Sequence, residues 1–305
     1  MTHYEILIVG GGPAGYTAAL YAARSGRKTA VVEKLSPGGQ MATTSVIDNY
    51  PGFPDGVDGF ELGEKMEQQA RKYGAETVYA EVTGADLTAV PKVLHTSEGD
   101  LTADAVILAT GAYPRELGLP GESELRGRGI AYCAACDGMM YRGKVVAVNG
   151  GGNTAVEDAL YLSKLCSKVY LIHRRDSLRA SAVYHKALKE AGVEIVWNSR
   201  VTALRKEKRL TGIELENVVT GEKSELACDG LFVAVGRVPD TALFAGQVET
   251  DPAGYLVADE NCRTSVPGVF AAGDVRTKAL RQVITAAADG ANAAHWAEEY
   301  LLKRV

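Results

Sequence analysis

The stretch best equipped for chemistry is Cys133-Ala134-Ala135-Cys136-Asp137-Gly138. Two thiols separated by two residues can close a small disulfide and cycle between oxidised and reduced forms. Asp137, beside them, can supply the proton that a leaving thiolate takes up. A zinc site needs about four ligands, and no second C-x-x-C or C-x-x-H occurs. An inert structural disulfide does not belong in a reducing compartment. Cys166, Cys228 and Cys262 lie singly in apolar or strand-like surroundings and read as small buried hydrophobes.

Two glycine turns flank this pair in sequence. Residues Tyr4–Val9 read as a buried strand, Gly10-Gly11-Gly12-Pro13-Ala14-Gly15 as a turn, Tyr16–Ser25 as a helix stopped by Gly26, and Lys28–Val32 as a strand ending at Glu33. This order is the dinucleotide-binding fingerprint. Glycines let backbone approach a pyrophosphate, the helix N-terminus stabilises its charge, and the acid takes ribose hydroxyls. The unit recurs as strand Lys144–Val148, turn Gly150-Gly151-Gly152-Asn153-Thr154-Ala155, helix Val156–Cys166 and strand Lys168–Ile172. The separation from Gly10 to Glu33 equals that from Gly150 to His173. In the second copy, however, the acid gives way to His173-Arg174-Arg175 with Arg179. Guanidinium forks grip a 2′-phosphate in bidentate fashion, so the first site should take an adenine dinucleotide without that phosphate and the second NADPH.

The chain of 305 residues is long enough for about two domains. With 46% hydrophobic and 23% charged residues, it has the composition of an ordinary globular protein. The net charge of −5, with basic residues scattered, argues against a nucleic-acid partner. Residues 6–23 are weakly polar throughout, but three glycines and a proline interrupt them, so strand, turn and helix explain them better than a membrane span. The first residues lack the basic region of a secretory signal, and the cysteine usage fits the cytoplasm. The expected fold is α/β. Residues 1–113 and 243–305 form a first nucleotide domain, and residues 114–242 form a second one inserted in it. Pro114, Gly118, Pro120 and Gly121 on one crossing, with Gly236, Pro239 and Asp240 on the other, supply the turn chemistry of a double linker.

Taken together, the chain closely resembles the low-molecular-weight thioredoxin reductases of bacterial and plant type over nearly its whole length. The motifs that carry the resemblance are Gly10–Gly15, Gly38-Gly39-Gln40, Asn49-Tyr50-Pro51-Gly52, Ala109-Thr110-Gly111, Cys133–Gly138, Gly150–Ala155, His173–Arg175 with Arg179, and Gly273-Asp274 with Arg281-Gln282. The resemblance implies a homodimer with two Rossmann-like domains, the first binding FAD and the inserted one binding NADPH and carrying the redox disulfide. For FAD it implies contacts at Gly10, Gly12, Pro13, Ala14, Gly15, Glu33, Lys34, Gly38, Gly39, Gln40, Asn49, Val82, Ala109, Thr110, Gly111, Gly273, Asp274, Arg281, Gln282 and Val283. For NADPH it implies Gly150, Gly152, Asn153, Thr154, Ala155, His173, Arg174, Arg175 and Arg179. The alanine-rich helix after Arg281 would let backbone approach the isoalloxazine.

The implied route runs from NADPH to FAD, then to the Cys133–Cys136 disulfide, and finally to the disulfide of thioredoxin. Cys133, Cys136 and Asp137 are the implied catalytic residues; Cys136 faces flavin and Cys133 attacks the substrate. Disulfide and nicotinamide site lie in one domain, so they must take turns at one flavin, and the double linker points to rotation between domains. Flavin-dependent oxidases of small dithiols share C-x-x-C but should lose the nicotinamide determinants retained here.

Overall fold

The computed structural model describes residues 1–44, 46–180 and 183–303. The chain divides into two compact units, Met1–Tyr113 with Val238–Val305, and Pro114–Arg237. The return crossing lies five residues before the expected 242, because Val238–Phe244 already belongs to the first unit. There Phe244 packs among Leu7, Leu87, Leu94 and Leu256.

In the first unit the chain runs β1 (Thr2–Val9), α1 (Pro13–Arg24), β2 (Thr29–Glu33), α2 (Gly59–Lys72), β3 (Glu76–Tyr79), β4 (Val82–Asp86), β5 (Lys92–Thr96), β6 (Leu101–Leu108) and β7 (Ala112–Pro114). Among the described residues of the second unit are β8 (Ile130–Ala131), the single-turn α3 (Ala134–Asp137), β9 (Val145–Asn149), α4 (Asn153–Leu162), β10 (Lys168–Ile172), α5 (Val183–Glu190), β11 (Glu194–Val196), β12 (Ser199–Lys206), β13 (Leu210–Asn217), β14 (Lys223–Ala227) and β15 (Gly230–Val233). The chain then returns through β16 (Arg237–Pro239), β17 (Val269–Ala271) and α6 (Val283–Leu302). The strands at the two crossings, β7 and β16, pair with each other.

The sheets confirm the internal repeat in space. The order β3-β2-β1-β6 in the first unit matches β11-β10-β9-β15 in the second, with every one of these pairs parallel. Parallel strands covered on both faces read as continuous apolar runs, and Ile6–Ile8 and Ala105–Leu108 are wholly buried. Their alternation serves two cores. Ile6, Ile8 and Ile107 face α1 and α6, while Leu7, Val9, Val106 and Leu108 face Leu87, Leu94 and Phe244. In the second unit Val146, Val148 and Leu171 face α4, and Ala147, Ile172 and Leu231 face Ile213 and Leu215.

Two features depart from the sequence reading. The run Val193–Val201 is broken at Trp197-Asn198, where Asn198 adopts φ 51°, so β11 ends and β12 begins as a separate antiparallel meander with β13 and β14. Likewise Ala75–Val82 is two strands, with Val82 opening β4, which pairs antiparallel with β5. The alanine-rich α6 packs closely on the backbone of α1. A Cβ at Gly290 would lie 2.1 Å from the Ala14 carbonyl oxygen and 3.0 Å from the Ala18 nitrogen.

Because both partners there are backbone, neither can yield. Gly290→Ala should lower unfolding free energy by about 3 kcal/mol, measured by urea denaturation. An unchanged midpoint would mean that the helices are not held this closely.

Candidate redox centre and nucleotide cradles

Strand β8 delivers the chain to the cysteines. Ile130 and Ala131 are buried, and Tyr132 and Cys133 follow. Cys133 caps α3, whose first residue, Ala134, is buried. Gly138 fits closely against α4, since a Cβ there would lie 2.9 Å from Tyr161 Cε1 and 3.2 Å from Leu162 Cδ2. Cys133 and Cys136 are joined as a disulfide, and the Cys136 amide donates to Cys133 Sγ at 3.2 Å. Asp137, the last residue of α3, is half-buried. Burial raises its pKa to about 6, against the pull of the Arg126 guanidinium. The Tyr141 phenol is raised to about 12, first by burial and then by Asp137. Met139 and Met140 are exposed beside the pair and take no part in the core. Of the lone cysteines, Cys228 and Cys262 are buried and Cys166 is half-buried, all three as free thiols.

The two glycine turns are packed alike, although only the first opens on a glycine of positive φ. In the first, Gly10 adopts φ +105°, and a Cβ there would lie 2.6 Å from the Ala109 carbonyl oxygen; in the second, a Cβ at Gly150 would lie 2.5 Å from that of Ala234. Each turn is therefore pressed against the end of the adjoining strand, β6 or β15. Gly11 donates its N–H to Glu33 Oε2 at 2.7 Å, and in the second copy the His173 ring fills the corresponding space, 2.1 Å from where a Gly151 Cβ would stand. Gly12 and Gly152 face open space: a Cβ at either position would meet nothing within 4 Å. Both cap their helices without any side-chain hydrogen bond. Each copy thus presents an open glycine face at a helix start with uncapped N–H groups, which fits a pyrophosphate.

Around the first turn the structure gathers most of the residues expected at FAD. Gly38 donates to the Gly11 carbonyl at 2.8 Å, and Gly39 lies against Gly12, with Gln40 exposed next to them. Glu33 also accepts from the Leu35 amide, leaving each carboxylate oxygen a further lone pair. Lys34 pairs with Glu81 at 2.6 Å, and the Ala80 amide bonds the Glu33 carbonyl, which brings the start of β4 and Val82 near the end of β2. Asn49 Nδ2 donates to Gln282 Oε1 at 3.0 Å. The Thr110 hydroxyl donates to the Asp240 carbonyl, and Gly111 accepts from the Asp240 amide. Gly273, φ +77°, packs on Ala14, the neighbour of Pro13 in the first turn of α1. Asp274 follows, and its carbonyl accepts from Arg281 Nε. Arg281 stacks over Tyr255 at 4.1 Å. Gln282 caps α6 in a reciprocal box with Thr285, ahead of Val283.

A feature with no sequence signal anchors that last segment. Asp289 of α6 accepts from the Gly273 amide at 3.0 Å, Lys278 Nζ at 2.8 Å and Arg276 Nη1 at 3.3 Å. All three charged side chains are largely buried.

At the second turn, Asn153, Thr154 and Ala155 begin α4, with Asn153 and Thr154 exposed. His173 is buried, its Nε2 lies 3.0 Å from the Ser177 carbonyl oxygen, and burial lowers its pKa, with Arg175 and Arg179 adding to the effect. It therefore shapes the loop from behind. The Arg179 and Ala180 amides both bond the Gly151 carbonyl, which folds the loop onto the turn and leaves Arg174, Arg175 and Arg179 exposed at its rim. Among the described residues none of these three pairs with a carboxylate.

Two outcomes follow from this geometry. Gly12→Ala, at φ −80° in open space, should unfold within about 0.5 kcal/mol of the wild type yet purify with much less flavin; equal flavin content would show that the space is not a cradle. Asp137, with its folded pKa raised above the unfolded value, stabilises the fold only while protonated, so that contribution is present in acid and lost as pH rises through about 6. Relative to Asp137→Asn, the wild type should therefore lose roughly 1 kcal/mol of unfolding free energy between about pH 5 and about pH 8, read by urea titration at both values.

Residues 4–290 match the pyridine nucleotide-disulphide oxidoreductase family. The thioredoxin reductase of Treponema pallidum (strain Nichols) is 47% identical over 301 residues, covering 98% of each chain. The crystal structure of thioredoxin reductase from Streptococcus pyogenes MGAS5005 superposes with a TM-score of 0.91 at 41% identity over 99% of both chains. The thioredoxin reductase from Giardia duodenalis superposes with 0.92 at 39% identity, over 99% of this chain and all of that one. With its paired cysteines and two glycine cradles in one chain, the protein belongs to the pyridine nucleotide-disulphide oxidoreductase family, among the thioredoxin reductases.

Proposed function

We propose that this chain is an NADPH-dependent flavoprotein that reduces the disulfide of thioredoxin. The observation that carries this reading is the Cys133–Cys136 disulfide on the same unit as an arginine-rimmed cradle, in a chain of this family. Bound FAD supplies two-electron chemistry between a nicotinamide and a disulfide. The first unit, through Gly10–Gly15, Glu33 and the segments around Gly39, Thr110, Asp274 and Arg281, is the part suited to hold it. The second unit, through Gly150–Ala155, suits the NADPH pyrophosphate, and Arg174, Arg175 and Arg179 suit the 2′-phosphate.

The chain's own chemistry is thiol–disulfide exchange. An electron pair delivered to Cys133–Cys136 breaks the S–S bond and leaves a dithiol. The Cys133 thiolate attacks one sulfur of the substrate disulfide, forming a mixed disulfide and expelling the other sulfur as a thiolate, with Asp137, next to Cys136 in sequence, as the acid that protonates it. Cys136 then attacks Cys133, re-forming the internal disulfide and releasing the substrate dithiol. Overall, one NADPH and one proton convert one disulfide to two thiols. Three free cysteines besides the redox pair accord with the cytoplasm, and resemblance to the family supports a homodimer. No helix among the described residues is long and apolar enough to cross a membrane.

Anaerobic titration with NADPH should bleach the flavin and permit turnover of thioredoxin, with NADH far less effective. Cys136→Ser should bind flavin and abolish turnover. Equal use of NADH would overturn the role given to the arginines, and full activity in Cys136→Ser would overturn that of the disulfide.

A further inference from the structure

Glu122 stands outside every motif above, yet it is one of the few buried charged residues of the second unit, at 2% exposure. Its carboxylate is fully engaged. Oε1 accepts from the Leu117 amide at 2.9 Å and from the Tyr132 hydroxyl at 2.8 Å. Oε2 accepts from the Gly118 amide at 2.8 Å and the Leu119 amide at 3.2 Å. Four donors match the four lone-pair sites of an ionised carboxylate. Three of them are consecutive backbone N–H groups that the loop would otherwise leave unpaired. The fourth belongs to the residue bonded directly to Cys133. Arg126 stacks over the same Tyr132 ring at 5.0 Å and also acts electrostatically on Asp137.

Tyr132 is thus held at its hydroxyl by Glu122, on its face by Arg126, and through its backbone by β8. Short strands fix a side chain poorly on their own, and β8 is only two residues long. It is the last strand of its sheet, paired to Leu231 and Phe232 on one side and joined only by the isolated Arg126–Ile130 bridge besides. Side-chain contacts just beyond the strand therefore add to the buried Ala134 and the packing of Gly138 on α4 in holding the chain at Cys133. The Cys136 amide that donates to Cys133 Sγ depends on where Cys133 is held, and a displacement of about 1 Å at a reacting group can cost two orders of magnitude in rate.

We infer that the Glu122–Tyr132 hydrogen bond is a positioning device for the redox pair, setting the place of the Cys133 sulfur for exchange with the protein disulfide. This rests on the function proposed above. Neither residue reacts; they act through Cys133.

Glu122→Gln puts an amide donor against three N–H groups and risks misfolding, so Tyr132→Phe is the decisive variant, because it removes one hydroxyl and keeps the ring under Arg126. In the FAD-loaded enzyme, Tyr132→Phe should lower kcat for thioredoxin roughly tenfold while leaving KM for thioredoxin, the flavin absorption spectrum and the anaerobic rate of flavin reduction by NADPH unchanged. Alkylation of Cys133 by iodoacetamide in the NADPH-reduced variant, followed by mass spectrometry, should slow in parallel. Wild-type kcat and alkylation rate in Tyr132→Phe would overturn the inference. So would a loss of kcat accompanied by an equal loss in flavin reduction, which would mark a general structural effect. A wild-type protein that fails to reduce thioredoxin would instead remove the functional reading, so the two failures are distinguishable.

Discussion

The first unit is built on the absence of side chains around one residue, Ala14. Gly15, its neighbour in α1, comes so near the end of β1 that a Cβ there would lie 1.8 Å from the Gly10 carbonyl oxygen. Gly273 meets the Ala14 methyl group and Gly290 meets the Ala14 carbonyl. A strand end, a turn before the last helix and that helix itself therefore converge on the first turn of α1. Because interiors are close-packed and tolerate little added volume, these glycines determine where the helix starts. The helix start in turn determines where uncapped N–H groups point. The cradle at Gly12 is open because everything around it is closed.

The second unit reaches the same opening by other means. Ala155 stands where the first copy has Gly15, and a Cβ at Gly150 would meet the Ala155 methyl group and the Ala234 carbonyl oxygen. What lies under the second glycine of the turn differs in charge. Glu33 takes the Gly11 amide with a carboxylate, whereas His173 presents a buried ring whose nitrogen faces the Ser177 carbonyl. Replacing the acid removes a negative charge from beneath the turn, and folding the loop through Arg179 onto Gly151 leaves three exposed cations at the rim instead. The two copies thus differ in the side chain under the turn, in the loop folded onto it, and in the first glycine, which takes a positive φ at Gly10 but not at Gly150.

How far this was legible from the sequence depends on the range of the interactions. The glycine turns, the strand ahead of each and the cysteine pair are local patterns, and the structure has them within a few residues of the expected limits. The matching separations from Gly10 to Glu33 and from Gly150 to His173 announced the repeat, and the matching strand orders express it in space. The break at Trp197-Asn198 was hidden because Val193, Ile195, Val196, Trp197 and Val201 make the whole run read as strand, and only the backbone at Asn198 turns. The ion cluster on Asp289 and the collar around Glu122 were hidden for a stronger reason. Asp and Glu at those positions are indistinguishable from solvated charges until tertiary contacts bring Arg276, Lys278 or the Tyr132 hydroxyl to them.

Those two carboxylates also illuminate why the working parts can sit on irregular chain. Gly273–Gln282 and Leu117–Cys133 contain little regular structure, and loops are ordinarily the least ordered parts of a fold. Each is tied by a largely buried carboxylate whose lone pairs are used by backbone amides as well as by side chains. A charge buried in this way is costly unless fully bonded, so any displacement of the loop leaves it uncompensated. The same penalty that makes such groups rare therefore makes them effective at holding a loop in one place. Residues that must touch a cofactor or a partner can then remain at the surface without depending on a helix or strand to fix them.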